Sequence, residues 1–185
     1  MLLSYGTAEC IFKVFLYCSL LAFIVYIPRL IYYIEGFKKP VKLNNPSKNR
    51  LAVLIPARNE KGVVHLLDSL ASQSYDAAFF DNYVVVADKN DPAIELCKKY
   101  KNTSCTVVEN QTCKGDALDG VLQVILKGEK KYAGYIIVDA DNIVDVNFLK
   151  AMNKKLCQGE EVVQGYRDIK NPSDSWVTAG YSIFY

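Results

Sequence analysis

Two rhythms of apolar and polar positions run along the chain. Residues 10–36, CIFKVFLYCSLLAFIVYIPRLIYYIEG, are apolar on all faces, with no charge between Val14 and Ile27. Beyond residue 50 the apolar runs become short and rich in Val and Ile: LAVLIPA (51–57), NYVVVAD (82–88), SCTVVE (104–109), YIIVDAD (135–141) and EVVQGY (161–166). Unbroken apolarity over so few residues predicts strands buried on both faces. Between them, apolar residues fall at helical spacing: Val63-Val64 with Leu66-Leu67 and Leu70; Ala93-Ile94 with Cys97; Ala117-Leu118 with Val121-Leu122 and Ile125-Leu126; Phe148-Leu149 with Met152 and Leu156. This alternation predicts an α/β domain, a mostly parallel sheet with helices on both sides. Ligands of such sheets sit beyond the carboxyl ends of the strands. No internal repeat or low-complexity segment interrupts the pattern.

The first segment supplies about 20 apolar residues, the length of one bilayer-spanning helix. Lys13 and Arg29 stand near its ends, where long side chains reach the headgroups, and Tyr17, Tyr26, Tyr32 and Tyr33 suit interfacial depth. A signal peptide would need a shorter apolar core and a small-residue cleavage site, and neither is present. The alternative is a buried core helix. Charge favours the membrane. Residues 29–50 carry six basic side chains against Glu35 alone, whereas residues 51–185 hold 15 basic and 18 acidic ones. A basic collar on the carboxyl side of the span predicts a single-pass protein with residues 36–185 in the cytoplasm. The expected organisation is an anchor over 1–36, a basic linker over 37–50 (KKPVKLNNPSKNR with its prolines and asparagines) and a domain over 51–185.

The acidic balance of that domain excludes a basic nucleic-acid binder. The six cysteines (10, 18, 97, 105, 113 and 157) form no CxxC pair and lack zinc-site spacing, so they are read as free thiols.

Unusual residues gather at the predicted strand ends. The first strand runs into Pro56-Ala57-Arg58-Asn59-Glu60, where proline stops the ladder and Arg and Asn offer planar hydrogen-bonding groups. A strand-to-helix turn with a charged cap would use the same residues. Asp88 ends the second strand, and Asp91 before Pro92 has the pattern of a helix N-cap. Lys114-Gly115-Asp116-Ala117-Leu118 opens the third helix of the domain. A lysine there opposes the helix dipole, which points to a ligand or an acidic neighbour.

In YIIVDAD, a strand would put Asp139 and Asp141 about 6–7 Å apart on one side. Carboxylates at that distance repel by about 2–3 kcal/mol at an effective dielectric of about 20. A divalent cation reverses that sign, because hard cations favour carboxylate and phosphate oxygens. The competing arrangement has one aspartate capping the next helix and the other facing water.

Taken in order, PARNE, Asp88, KGDAL and DAD resemble the family 2 inverting glycosyltransferases of GT-A fold, over residues 51 to about 185. The tail EVVQGYRDIKNPSDSWVTAG resembles the segment that follows the metal motif in membrane-attached members. The resemblance implies a nucleotide-binding, Rossmann-like sheet preceded by one transmembrane helix. It implies that Pro56, Ala57, Arg58, Asn59 and Glu60 line a nucleoside pocket and that Asp88 reads uracil. Lys114 would lie near the base or the pyrophosphate, and Asp139 would hold the ribose or the metal. Asp141 would bind Mg2+ or Mn2+ against the diphosphate of a UDP-sugar, whose sugar passes to a glycan or lipid-linked acceptor.

The chain departs from the family pattern downstream. The expected Glu-Asp or Asp-Asp base pair is missing among Asp145, Glu160, Glu161, Asp168 and Asp174, and Trp176 is not in a Gln-x-x-Arg-Trp context. The expectation is therefore the donor-binding half of a longer enzyme, a fragment or a truncated product, with no catalytic base assigned. Two other classes compete. A nucleotide-binding protein without turnover fits the missing base. A haloacid-dehalogenase-type phosphatase also uses a strand followed by DxD, but has that strand near the start of its domain. A dinucleotide dehydrogenase is disfavoured by the absence of GxGxxG. His65 is expected as a partly buried helical side chain, and Arg167 as a surface or phosphate-facing one.

Overall fold

The computed structural model describes residues 5–36, 46–58, 60 and 62–181. The chain divides into two compact units, Met1–Lys42 and Leu43–Tyr185. In the first, helix α1 (Tyr5–Gly36) contains Pro28. Its stretch Gly6–Ile34 has a mean hydropathy of 2.3, and none of its most apolar window is buried. At 1.5 Å per residue those residues extend about 43 Å, more than a hydrocarbon core is thick. The helix is thus long and apolar enough to cross a membrane. A core helix would have buried side chains, and this one has none among those described.

The second unit is built on a four-stranded parallel sheet in the order β3-β2-β1-β4. The strands are β1 (Leu51–Pro56), β2 (Phe80–Val86), β3 (Thr103–Val107) and β4 (Gly134–Ile137). The helices are α2 (Val63–Ala71), α3 (Ala93–Cys97), α4 (Lys114–Lys127), α5 (Phe148–Cys157) and α6 (Trp176–Tyr181).

Strand alternation sorts β1 between two cores. Leu51, Val53 and Ile55 join Val63, Leu66, Leu67 and Leu70 of α2, Ala93 and Cys97 of α3, and Leu149 of α5. Ala52 and Leu54 face the other way, onto Ala117, Val121 and Ile125 of α4. Helices therefore cover both faces, which is why β1 reads as uninterrupted apolarity. Gly120 lets α4 lie close to the sheet, since a Cβ there would stand 2.6 Å from Val108 Cγ2.

Two strand expectations fail. Residues 161–166 form no strand; Val162 is 91% and Tyr166 83% exposed. The segment finds no ladder partner and rests on α5 instead, where a Cβ on Gly165 would lie 3.1 Å from Phe148 Cε2. Nor is β4 buried on both faces: it is one of the sheet's two edge strands, and Tyr135 and Ile137 are 44% and 55% exposed. His65 is exposed rather than partly buried.

At the amino end of the sheet, Asp81 is only 7% exposed. Its carboxylate accepts from Arg50 Nη1 at 3.0 Å, Lys130 Nζ at 2.7 Å and the Tyr132 hydroxyl at 2.7 Å. Tyr83 in turn donates to Tyr132 at 2.8 Å. Burial pushes the Asp81 carboxyl up, but hydrogen bonds from Lys130, Tyr132 and Arg50 outweigh it and hold the group below the usual carboxylate value. Burial, then the bonds to Tyr83 and Asp81, push the Tyr132 hydroxyl well above its ordinary value.

Candidate functional site at the carboxyl ends of the strands

The strand order reverses beside β1: the chain moves outward through β2 and β3, then returns to place β4 on the other side. Such a switch point leaves a crevice beyond the carboxyl ends of the two adjoining strands. Here it is a cleft of about 210 Å³ lined by Pro56, Ala57, Arg58, Gln111, Cys113, Lys114, Ala117 and Asp139.

Pro56 closes β1, and the Ala57 N–H returns the ladder to Val85 O at 2.8 Å. Arg58 follows, exposed at the cleft. Asn59 lies outside the described residues. Glu60 is exposed, and Gly62 sits against the aspartate turn: a Cβ on it would be 3.5 Å from Asp141 Cα and 3.7 Å from both Ala140 O and Glu60 Oε1.

On β4 the ladder continues one residue past the strand, from the Val138 N–H to Leu54 O at 3.0 Å. The chain then turns, with the Asn142 N–H donating to Asp139 O at 3.0 Å. The two aspartates thus lie beyond the strand rather than on it, and the two-residue period that put them on one side does not apply. Asp139 is half-buried and lines the cleft, whereas Asp141 is exposed on the turn. Among the described residues, the Asp141 carboxylate has no hydrogen bond or ion pair; only its backbone oxygen is met, by Lys170 Nζ at 3.5 Å.

The acidic neighbour expected for Lys114 is Asp139: Lys114 Nζ donates to Asp139 Oδ1, with the two side chains 49% and 45% exposed. Asp116 fixes the helix end that carries this lysine. Its Oδ2 accepts from the Thr112 hydroxyl at 2.6 Å, the Thr112 N–H at 2.7 Å and the Cys113 N–H at 3.1 Å. Those bonds, the Thr112 hydroxyl's foremost, pull the carboxyl down to about 2. Asp116 of the KGDAL run therefore serves the helix cap.

Asp88 does not line the cleft. It is exposed after β2, where its Oδ1 accepts the Asn90 N–H at 2.8 Å, an Asx turn. That turn presents Asp91, 5% exposed, whose Oδ1 accepts the Ala93 N–H at 2.9 Å and caps α3. Gln111 is a lining residue that sequence reasoning missed. Asn110, in the left-handed region at φ 59°, turns the chain there, and Gln111 Nε2 donates to Val86 O at 3.1 Å. Cys113 and Ala117 were also missed. A pattern was available, since Cys113 with Asp116 three residues on makes a capping box.

A metal must be held by oxygens here, because Asp139 and Asp141 are the carboxylates of the turn. No group of three His, Cys, Asp or Glu occurs among the described residues. Two carboxylates, one of them unengaged, fit a hard cation whose other positions are filled by water and phosphate oxygens.

Residues 48–185 match glycosyltransferase-like family 2. The bacteriophage adsorption protein B of Escherichia coli (strain K12) is 29% identical over 136 residues, 66% of this chain and 18% of that protein. The bacteriophage N4 adsorption protein B of Escherichia coli O157:H7 aligns to the same extent. Among solved structures, the mannosyltransferase PcManGT from Pyrobaculum calidifontis, in complex with GDP-Man and Mn2+, superposes with a TM-score of 0.56 at 21% identity. It covers 87% of this chain and 48% of its own. S. aureus TarS 1–349 has a TM-score of 0.50 at 17% identity, covering 65% of this chain and 39% of its own. The chain spans 18% of the length of the relatives it matches. Its parallel sheet and flanking helices are of GT-A type, and with three quarters of its length matched, the chain belongs to glycosyltransferase-like family 2.

Proposed function

We propose that this chain is the donor-binding part of a membrane-anchored, inverting glycosyltransferase. It takes a UDP-sugar together with Mg2+ or Mn2+, for transfer to a glycan or lipid-linked acceptor. The observation that carries this reading is the switch-point cleft, where Arg58, Lys114 and Asp139 meet beside the Asp139–Asp141 turn. Membership of family 2 sets aside the phosphatase reading.

Arg58 and Lys114 neutralise the diphosphate, Arg58 by its planar fork and Lys114 as a point charge. Pro56, Ala57, Asn59 and Glu60 bound the nucleoside, and Asp88 reads the base. Asp141, with Asp139, holds the cation. When bound, that cation stabilises the charge on the departing diphosphate. The acceptor hydroxyl loses its proton to a base as it attacks the anomeric carbon, and that base is assigned to no residue of this chain. Helix α1 is the single-pass anchor, and the basic residues after it keep the domain on the cytoplasmic side.

The test is calorimetric titration of the full chain in detergent with UDP and with GDP, with and without Mn2+. The expected result is metal-dependent UDP binding that Asp141→Asn abolishes. Equal binding of GDP would remove the uracil assignment of Asp88, and metal-independent binding would remove the role given to Asp141.

A further inference from the structure

Two cations line the cleft, and they stand in different states. Arg58 makes no hydrogen bond or ion pair among the described residues, whereas Lys114 is held by Asp139. The two carboxylates divide the same way, Asp139 engaged and Asp141 not. Without a ligand the protein thus offers one open carboxylate to a cation, with an ammonium beside the other. We propose that the Lys114–Asp139 ion pair is a latch that keeps the divalent-cation site half-assembled until a nucleoside diphosphate arrives. This rests on the donor-binding reading above.

The competition is one of like chemistry. Phosphate oxygens and a carboxylate are both anionic acceptors for the same ammonium, and a diphosphate drawn to Arg58 brings its oxygens to Lys114. The pair is weak enough to give way: both side chains are about half exposed, and such pairs hold by no more than about fivefold. Once Lys114 turns to phosphate, Asp139 is released beside Asp141, and both carboxylates become available to the cation. Nucleotide binding therefore completes the cation site, and a cation alone meets Asp141 only.

The experiment follows free Mn2+ by electron paramagnetic resonance as it is titrated into the full chain in detergent, with and without UDP. Without UDP, Lys114→Gln is expected to bind Mn2+ about tenfold more tightly than the wild type, the factor for removing a unit charge about 6 Å from a divalent ion at the dielectric of water. Lys114→Arg keeps the pair and the wild-type value. Adding UDP closes that gap, because the diphosphate releases Asp139 in the wild type, whereas in Lys114→Gln it is already free. The UDP-free gain of Lys114→Gln must also vanish in Lys114→Gln/Asp139→Asn, since it acts through the released carboxylate. Should Lys114→Gln fail to fold, Asp139→Asn reads the latch from the other side: its freed lysine should bind metal-free UDP more tightly than the wild type. Unchanged Mn2+ affinity in Lys114→Gln, or a gain that survives in the double variant, overturns the latch while leaving the donor site intact. UDP-dependent Mn2+ binding that persists in Asp141→Asn overturns the donor-site reading and the latch with it.

Discussion

Each end of the sheet holds an aspartate paired with a lysine, and the two ends use that pair oppositely. At the amino end Asp81 is 7% exposed and receives three donors, two of them cationic. At the carboxyl end Asp139 keeps about half its exposure and receives Lys114, with an open cleft at its side. A buried carboxylate must be satisfied within the protein, and once satisfied it has nothing left to offer a ligand. A half-exposed one with a single partner loses little by exchanging it. The same residue types thus hold the fold together at one end and stay available for binding at the other.

The sharpest way to break this contrast is to remove each aspartate in turn. Asp81→Ala is expected to cost about 3 kcal/mol in urea unfolding, because it strips the partner from a buried ionic cluster. Asp139→Ala should stay within about 1 kcal/mol of the wild type. Equal losses would mean that the carboxyl end is structural too. In ligand binding the order inverts. Asp139→Asn and Asp141→Asn should each weaken Mn2+-dependent UDP binding about tenfold or more, since bonds to charged groups contribute about 1.5–3 kcal/mol. Asp81→Asn, assayed where it remains folded, should leave that binding unchanged.

The smallest effect is in acid. Asp116 has its folded value near 2, below the usual 3.8, so its contribution is present above about pH 4 and is lost as pH falls toward 2. Unfolding midpoints of the wild type and Asp116→Asn should differ at pH 7 and converge across that window. A constant gap would mean that the cap acts without its charge.

Much of this contrast was legible in the sequence at the carboxyl end and little of it at the amino end. The runs LAVLI (51–55) and VVV (84–86) announce β1 and β2 because burial on both faces leaves no polar position in them. The lysine of KGDAL announces a negative neighbour because it opposes a helix dipole. Asp81 carries no such mark. Its partners Arg50, Lys130 and Tyr132 are up to 51 residues away, and only the folded sheet brings them together. EVVQGY failed as a strand for a related reason, because β propensity expresses itself only beside a partner strand. Asp88 is ambiguous in the sequence, since local Asx-turn geometry uses the same carboxylate that a ligand would.

The exposed edge of β4 has a consequence for handling. Tyr135 and Ile137 project from a strand that, among the described residues, has a neighbour on one side only. An uncovered apolar edge is a template for any other extended chain. Self-association through this edge is therefore expected to rise with protein concentration.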